Sequence, residues 1–386
     1  MILYPHMHIT RHIKLAIEKA LIPGRATIIL GARRVGKTTL IKEIIAARKE
    51  PITFYNCDDP DVRSQFSEIG LAALKRLLSH TETIVFDEAQ RIQNIGILLK
   101  MIVDEMPDKR LLVSGSSSLE LSNKVNEPLT GRKKTFYLYP LIFLELYEYE
   151  NRNVIAAQSY VNDMLRFGAY PQIFEISDPI EKEEYLLELA GDYLYKDALE
   201  YQDIRNPEQL RKLLVALALQ IGQEVSYTEI GSLVGVDQKT VVRYLDLLEK
   251  SFVIFRLPAF SRNLRKEIAK SRKVYFYDLG IRNALLRNFN PYHLRQDKGA
   301  AWENFVISER LKKDAYMNQR KNYYFWRTYD QKEVDLIEEH QGTIEGFEIK
   351  WKNTASVPKD FLGAYPGSTV HTVNRESFLD FVISDT

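Results

Sequence analysis

Residues 31–38 of the chain read Gly31-Ala32-Arg33-Arg34-Val35-Gly36-Lys37-Thr38. They follow the G-x-x-x-x-G-K-[ST] pattern of a phosphate-binding loop. The apolar run 27–30 precedes this loop and the segment 39–45 follows it, which gives the strand–loop–helix context that the pattern requires. The backbone N–H groups of such a loop and the positive end of the helix dipole point at one place, where they bind phosphate. The sequence therefore predicts a nucleoside triphosphate site.

Each position of the loop has an expected role. Gly31 and Gly36 permit backbone angles that turn consecutive N–H groups inward. The Lys37 ammonium reaches the β- and γ-phosphates, and the Thr38 hydroxyl ligates Mg²⁺. The expected nucleotide contacts are Gly31, Ala32, Arg33, Arg34, Val35, Gly36, Lys37, Thr38 and Thr39.

A second apolar strand, 83–86, ends in Asp87 and Glu88 and has the form of a Walker B element. Asp87 is expected to hold Mg²⁺ together with Thr38, and Glu88 to polarise the attacking water. The alternative is that the two acids cap a following helix. Because the segment 52–56 supplies a further strand, strands and helices alternate as a parallel α/β sheet requires.

Two further polar residues are candidates for catalysis. Ser116 follows a fourth strand, 111–113, and is a candidate sensor of the γ-phosphate because the carboxyl ends of parallel strands face the ligand. A helix N-cap before Leu119 is the alternative role for this serine run. Arg132 is a candidate arginine finger, acting within the chain or on a neighbouring copy in a homo-oligomer, and an exposed basic turn is its alternative.

Five blocks carry a family resemblance, and they occur in the family's order: Gly31–Thr38, Phe86-Asp87-Glu88-Ala89-Gln90, Val113-Ser114-Gly115-Ser116-Ser117, Gly131-Arg132 and Tyr139-Pro140-Leu141. They resemble the prokaryotic AAA+ superfamily ATPases whose C-terminal part is called a domain of unknown function. The segment 167–171 is similar to the family's next block, although the family more often has two glycines where Gly168 and Ala169 stand. The resemblance extends over nearly the whole chain and implies an AAA-type fold that uses ATP with Mg²⁺.

The middle of the chain predicts a helical connector, 151–220, followed by a winged helix, 221–278. Ser226 and Glu229 form a capping-box pattern, Gly235 ends that helix, and Asp237 caps a second helix. Two strands and an intervening basic segment follow. The expected phosphate contacts to DNA are Lys239, Arg243, Arg262, Arg265 and Lys266. The alternative is a winged helix that packs against protein, with a solvated basic loop.

Near the C-terminus, the segments 333–337 and 344–350 alternate polar and apolar residues with a period of two, which predicts an antiparallel hairpin. A two-residue turn at Gln341-Gly342 places Asp335 opposite Glu348, with Lys350 on the same face. The opposite face is expected to be buried through Val334, Leu336, Phe347, Ile349 and Trp351.

Two facing carboxylates repel each other unless a cation lies between them, and a divalent metal would also activate water. Asp335, the segment 348–350 and the upstream Glu303 resemble the PD-(D/E)xK nuclease motif, which implies Asp335, Glu348 and Glu303 as metal ligands and Lys350 as a catalytic residue. A surface salt-bridge cluster with Glu333 opposite Lys350 is the alternative. Metal-dependent DNA cleavage and an inactive binding module both remain open.

Composition limits the remaining classes of protein. The chain has 386 residues, 53 basic against 52 acidic, so a uniformly basic nucleic-acid coat is excluded while local patches are not. One cysteine excludes an internal disulfide framework. The N-terminal residues lack a signal-peptide pattern and no apolar run of about 18 residues occurs, so a cytoplasmic location without membrane association is expected.

The sequence thus predicts an α/β protein with an AAA-type P-loop NTPase sheet in residues 1–150, a helical connector in 151–220, a winged helix-turn-helix in 221–278 and a small restriction-endonuclease-like α/β domain in 279–386. The leading hypothesis is an ATPase that couples nucleotide state to a module acting on or near DNA. The alternative is an ATP-dependent switch that controls protein assembly, with a catalytically inactive nuclease fold. A small-molecule kinase is disfavoured, because Asp87 and Glu88 suit water activation and no acceptor site is apparent.

Overall fold

The computed structural model describes residues 7–116, 129–200, 206–261, 272–328, 330, 332–352 and 359–384. It divides the chain into two compact units. The first unit comprises residues 10–139 and 250–252, and the second unit comprises the other described residues.

These two units differ from the four expected regions. The first boundary lies between residues 139 and 140, ahead of the expected position 150, and the three downstream regions share one unit. The first helix after the boundary, Phe143–Tyr149, explains the shift because it packs within the second unit. The backbone N–H of Phe143 donates to Glu309 Oε2 at 2.6 Å, and its ring centroid lies 5.3 Å from that of Phe378.

The first unit is built on a five-stranded sheet with the order β2-β3-β4-β1-β5. Its strands are β1 (Ala26–Leu30), β2 (Ile52–Asn56), β3 (Thr83–Asp87), β4 (Arg110–Gly115) and β5 (Lys133–Tyr137). Its helices are α1 (Lys14–Ala20), α2 (Lys37–Ala46), α3 (Pro60–Ser67), α4 (Leu71–Leu77) and α5 (Ile95–Glu105). All neighbouring strands pair in parallel, as the sequence predicts. β5 was missed, because its sequence was interpreted as part of a basic turn.

The second unit begins with helices and then forms two sheets. Its helices are α6 (Phe143–Tyr149), α7 (Val154–Phe167), α8 (Pro179–Glu200), α9 (Pro207–Leu219), α10 (Tyr227–Val234), α11 (Gln238–Lys250), α12 (Leu279–Leu286), α13 (Lys298–Tyr316), α14 (Lys359–Ala364) and α15 (Phe378–Ile383). A three-stranded antiparallel sheet has the order β6-β8-β7, with β6 (Glu224–Val225), β7 (Ile254–Pro258) and β8 (Arg272–Phe276). A four-stranded sheet has the order β12-β11-β10-β9, with β9 (Asn322–Arg327), β10 (Glu333–His340), β11 (Thr343–Ile349) and β12 (Thr369–Val373).

The predicted hairpin register is confirmed. β10 and β11 pair antiparallel with Leu336 opposite Phe347 and His340 opposite Thr343. The turn residues Gln341 and Gly342 have φ values of 50° and 85°, as a two-residue hairpin turn requires. This register places Asp335 opposite Glu348.

The expected strict alternation of faces along β10 is wrong in one place. The pairing of β10 with β9 shifts between Val334 and Ile337, so both side chains enter one apolar cluster with Trp326 and Phe361. A bulge adds one residue to a strand and therefore changes which face the next side chain takes. The alternating pattern did not reveal this bulge.

Gly31 follows β1 at the point where the chain leaving β5 passes closest. The backbone N–H of Leu138 donates to the carbonyl of Leu30 at 2.7 Å. A Cβ at Gly31 would lie 2.2 Å from the carbonyl oxygen of Leu138. Glycine is therefore required there by a close backbone approach, whereas the expected left-handed conformation occurs at Gly36, whose φ is 93°.

We expect Gly31→Ala to destabilise the first unit, because the carbonyl that its Cβ would meet is fixed by the pairing of β1 with β5. Overpacking against backbone costs about 2 kcal/mol, which corresponds to roughly 30-fold faster amide exchange in these strands. Hydrogen–deuterium exchange of residues 26–30 and 133–137 measures the effect. Gly70→Ala is the matched control, since no atom lies within 4 Å of a Cβ built there. Equal exchange in both variants would contradict the steric explanation.

Candidate functional site

The predicted phosphate-binding loop connects β1 to α2 at the carboxyl end of the parallel sheet. Lys37 is buried, and its Nζ donates to the carbonyls of Gly31 at 3.0 Å and Ala32 at 2.9 Å. The guanidinium of Arg11 holds the loop from outside the motif, donating to Val35 O at 2.7 Å. Its second nitrogen donates to Tyr139 O at 2.6 Å. Arg11 cannot be identified from the sequence pattern, because it lies 20 residues before the loop.

The structure brings Thr38 and Asp87 together, as expected for two groups that hold one metal ion. Thr38 Oγ1 donates to Asp87 Oδ2 at 2.7 Å, and Asp87 is 3% exposed. Ser114 Oγ hydrogen-bonds the other oxygen of this carboxylate and accepts the backbone N–H of Glu88 at 3.0 Å. A hydroxyl beside a buried carboxylate is a set of hard oxygen donors, which fits Mg²⁺. Ser114 belongs to the serine run in which Ser116 is the favoured candidate, and its contact with Asp87 is not predicted by the sequence.

Glu88 lies beside the loop in a strained backbone conformation with φ of 52°. Its Oε1 is 3.5 Å from Lys37 Nζ, and its Oε2 accepts from Gln90 Nε2 at 2.7 Å. Burial raises the pKa of Glu88, but the charge of Lys37 and hydrogen bonds from neighbouring polar groups outweigh burial and hold this pKa below its ordinary value. The carboxylate is therefore ionised and able to polarise water.

Gln90 connects two of the predicted catalytic residues. The same Nε2 that donates to Glu88 also donates to Ser116 Oγ at 2.8 Å. Ser116 and Gln90 are both buried. The sequence signal for Gln90 was its place in the Phe86–Gln90 block, which was interpreted as part of the resemblance and given no role.

Arg132 lies at the opposite edge of the sheet from the loop. Lys133 pairs with Ala26, the first residue of β1, whereas the loop follows Leu30. At about 3.3 Å per residue, five strand residues separate the two edges by roughly 16 Å. Arg132 forms an ion pair with Asp104 of α5. Arg132 therefore lies too far from the loop of its own chain to contact a nucleotide there in this arrangement, and a finger role would require a neighbouring copy.

A second charged cluster lies in the second unit around the predicted nuclease residues. Glu303 of α13 accepts from Tyr275 OH at 2.6 Å and lies 3.2 Å from Lys273 Nζ. Lys273 is 2% exposed and also pairs with Glu333. Burial raises the pKa of Glu303 to about 7, the charges of Asp335 and Glu333 add to the rise, and Lys273 and the Tyr275 hydrogen bond oppose it. Lys273 and Tyr275 were not predicted to be part of this cluster.

Lys350 neutralises the other two predicted metal ligands. Its Nζ lies 3.1 Å from Asp335 Oδ2 and 3.0 Å from Glu348 Oε2. The alternative pairing of Lys350 with Glu333 is not formed, since Glu333 pairs with Lys273. Within the described part of the chain, no group of three or more His, Cys, Asp or Glu side chains is arranged to hold a metal ion. The expected ligand set of Glu303, Asp335 and Glu348 is thus split between two lysines.

The candidate DNA contacts are only partly described. Lys239 and Arg243 are exposed on α11, four residues apart on the face opposite the buried Val241, Tyr244 and Leu245. Arg262, Arg265 and Lys266 lie outside the described residues. None of the helices in the described ranges has the length and apolarity to cross a membrane.

Comparisons with known proteins find three families whose models match separate segments of the chain. Residues 23–147 match the family described as AAA domain, residues 158–292 match a domain of unknown function (DUF8612), and residues 298–374 match a domain of unknown function (DUF4143). Residues 23–147 therefore form a P-loop ATPase domain of the AAA type, a fold that supports ATP binding and hydrolysis.

Similar whole proteins carry no assigned role. The uncharacterized protein MJ1544 of Methanocaldococcus jannaschii is 29% identical over 342 residues, covering 83% of this chain and 74% of its own length. The uncharacterized protein Rv2008c of Mycobacterium tuberculosis is 29% identical over 354 residues, covering 90% of this chain and 75% of its own. Among solved structures, the Walker-type ATPase PABY2304 of Pyrococcus abyssi is 18% identical with a TM-score of 0.49, covering 74% of this chain and 99% of its own.

Because Arg132 lies at the far edge of the sheet, we expect Arg132→Ala to bind ATP within about twofold of wild type, whereas Lys37→Ala loses at least about tenfold. Equilibrium titration with a fluorescent ATP analogue and Mg²⁺ measures both. If Arg132 serves a neighbouring copy, mixing inactive Lys37→Ala and Arg132→Ala chains restores turnover. A loss of ATP affinity in Arg132→Ala equal to that in Lys37→Ala would contradict the assigned position.

The raised pKa of Glu303 predicts a pH-dependent stability of the second unit. Since the folded chain holds this proton up to about pH 7 against an ordinary value of 4.5, the free energy of unfolding falls as pH rises through this window, by about 3 kcal/mol. Urea unfolding followed by tryptophan fluorescence reports this unit, because Trp302, Trp326 and Trp351 are the chain's three tryptophans. Asp278 and Glu348 of the same unit also have a raised pKa, so we expect Glu303→Gln to reduce the pH dependence and the exposed control Glu376→Gln to leave it unchanged. Equal slopes in wild type and Glu303→Gln would refute the assignment.

Proposed function

We propose that the chain hydrolyses ATP and couples its nucleotide state to a winged-helix, nuclease-like module that contacts DNA. The observation that carries the ATPase part is the part-buried contact of Thr38 with Asp87, formed at the same sheet edge as Lys37 and the ionised Glu88. These groups come from the start of α2 and the end of β3, which the parallel sheet aligns. A metal-holding pair and a water-polarising carboxylate are what phosphoryl transfer to water needs.

Each residue has a task in this proposal. Thr38 and Asp87 would hold Mg²⁺, which when bound neutralises charge on the phosphate oxygens. Lys37 exchanges the loop carbonyls that it now contacts for phosphate oxygens, which is a favourable charge-assisted contact. Glu88 orients the attacking water, and Gln90 fixes the Glu88 carboxylate relative to Ser116. Gln90 is thus a positioning residue.

A winged helix is supported by the order of elements from β6 to β8. A short helix, α10, ends at Gly235 with φ of 79°, the longer α11 follows after Asp237, and the sheet β6-β8-β7 closes the arrangement. The exposed cations Lys239 and Arg243 lie on the outer face of the second helix, where such folds contact DNA phosphates.

The path of the chain supports the coupling. From the last residue of α11 the chain contributes residues 250–252 to the first unit and then enters β7. The ring centroid of Phe252 lies 5.8 Å from that of Tyr137, the last residue of β5, and 6.2 Å from that of Tyr139. Phe252, two residues beyond the end of α11, therefore packs beside the end of β5 within the first unit. The coupling is proposed to run along this covalent connection.

A nuclease-like fold is supported for the C-terminal region by the hairpin register and by Glu303 on α13. The carboxylates do not fit a metal site as they are arranged, because Lys350 and Lys273 pair with them separately. Cleavage is therefore no part of the proposal. In the proposed function, the nuclease-like fold acts as a binding module.

The test is ATP turnover measured with and without duplex DNA. We expect duplex DNA to raise the turnover of the wild type, and Glu88→Gln to bind ATP while losing at least about 100-fold in turnover. Changing Lys239 and Arg243 together to Ala should remove the stimulation and lower the salt slope of duplex binding by about 1.8. Changing Arg211 and Lys212, both exposed on α9, is the matched control and should do neither.

Two outcomes would separate this proposal from its alternative. If duplex DNA leaves turnover unchanged while ATP changes only the oligomeric state, the chain is a switch for protein assembly. If changing Arg211 and Lys212 reduces the stimulation by DNA as much as changing Lys239 and Arg243 does, the proposed DNA contact on α11 is refuted.

A further inference from the structure

Two adjoining cavities lie in the second unit at the end of β11, apart from the residues used above. The first has a volume of about 520 Å³ and the second of about 440 Å³. Trp351, Lys352 and Arg375 line both cavities, so the two form one groove with a shared centre. Each volume falls in the range of small-ligand sites.

The sheet topology explains why these three side chains meet. Trp351 and Lys352 directly follow β11, and Arg375 follows β12 by two residues. β11 and β12 pair in parallel, so both chains leave the same edge of the sheet, where the N–H of Lys350 donates to Val373 O at 3.0 Å. Ligands of open α/β sheets bind beyond such carboxyl ends.

Aromatic rings form the wall of the groove. The centroid of Trp351 lies 4.3 Å from that of Tyr292 and 5.1 Å from that of Trp302. The guanidinium carbon of Arg375 lies 4.8 Å from the Trp351 ring. Aromatic rings and guanidinium planes are the surfaces on which nucleobases stack, without preference for one base.

The groove also carries positive charge. Lys298, Lys352 and Arg375 line it against one exposed carboxylate, Glu376. Two other charged lining residues are already neutralised, since Asp163 pairs with Lys182 at 2.9 Å and Arg166 pairs with Glu183 at 3.2 Å. Cations next to a stacking wall suit a phosphate backbone.

We propose that this groove binds a single-stranded nucleic acid, with bases stacked at the half-buried Trp351, which Tyr292 supports from behind, and phosphates at Lys352 and Arg375. The two subsites on either side of one Trp–Arg pair favour a strand of consecutive nucleotides over a free mononucleotide. The inference deepens the proposed action on DNA and rests on it for its biological setting, but its contacts are separate from those of α11. It adds a single-strand site to a duplex-contacting helix.

The experiment is a titration of the full chain with a fluorescein-labelled 12-nucleotide single strand, followed by anisotropy and by tryptophan fluorescence. We expect Lys352→Gln with Arg375→Gln to weaken binding at least about tenfold and to lower the salt slope by about 1.4. The control is Lys212→Gln with Lys359→Gln, which changes two exposed lysines that line neither cavity and should bind as wild type does.

Stacking is tested by two further variants. Trp351→Leu should lose about tenfold in affinity, while Trp351→Phe should keep affinity within about threefold and lose most of the fluorescence quenching. Should the Leu variant fail to fold, the Phe variant and the exposed Gln pair still decide the question. Unchanged binding by the Gln pair, unchanged quenching in Trp351→Phe, or full competition by thymidine monophosphate would each overturn the proposal.

The two DNA contacts can fail independently. Retained single-strand binding with no effect of duplex DNA on ATP turnover would refute the role of α11 and support the groove. Stimulation by duplex DNA with no single-strand binding would refute the groove and leave the proposed function standing.

Discussion

The pairing of β1 with both β4 and β5 is the constraint on which the ATPase site depends. Because all three strands run in parallel, the loop after Leu30 and Ser116, which follows β4, emerge at one edge of the sheet. The chain leaving β5 passes so close that residue 31 has no room for a Cβ. The same pairing puts Arg132 at the opposite edge. This strand pairing thus brings the phosphate-binding loop close to the residues at the ends of the neighbouring strands. It also keeps Arg132 of the same chain away from the loop.

Much of this site could be predicted because its signals are local. Its strand–loop–helix order in residues 27–45 is contained in consecutive residues, and so are the acids at the end of β3. In the second unit, the hairpin register likewise follows from the adjacent residues Gln341 and Gly342. Arg11 and Lys273 could not be predicted. Their roles depend on contacts over 24 and 30 positions, to Val35 and Glu303, for which periodicity carries no information. β5 was missed because its strand residues include two lysines, which were interpreted as exposed.

Several charged side chains are buried in the interior of the second unit, and the sequence pattern does not indicate their burial. Arg310 of α13 is 3% exposed and donates to Glu338 of β10 at 2.7 Å and 3.0 Å. A charge of this kind is tolerated in the interior only if a partner compensates the loss of water. Removing one partner therefore costs more than the pair contributes. The lysines that separate Glu303 from Asp335 and Glu348 belong to the same pattern, so these three carboxylates are part of a network of ion pairs.

The two candidate ligand sites follow from one rule applied to two sheets. In the first unit, the parallel strands β1 and β3, which flank β4, present a glycine loop and acids, a chemistry that binds phosphate together with a metal ion. In the second unit, parallel β11 and β12 present an aromatic ring and two cations, a chemistry that binds bases and phosphates without a metal ion. The residues that follow the strands differ, and so do the ligands that the two edges suit. Topology therefore places both sites, while the few residues beyond each strand end determine what binds there.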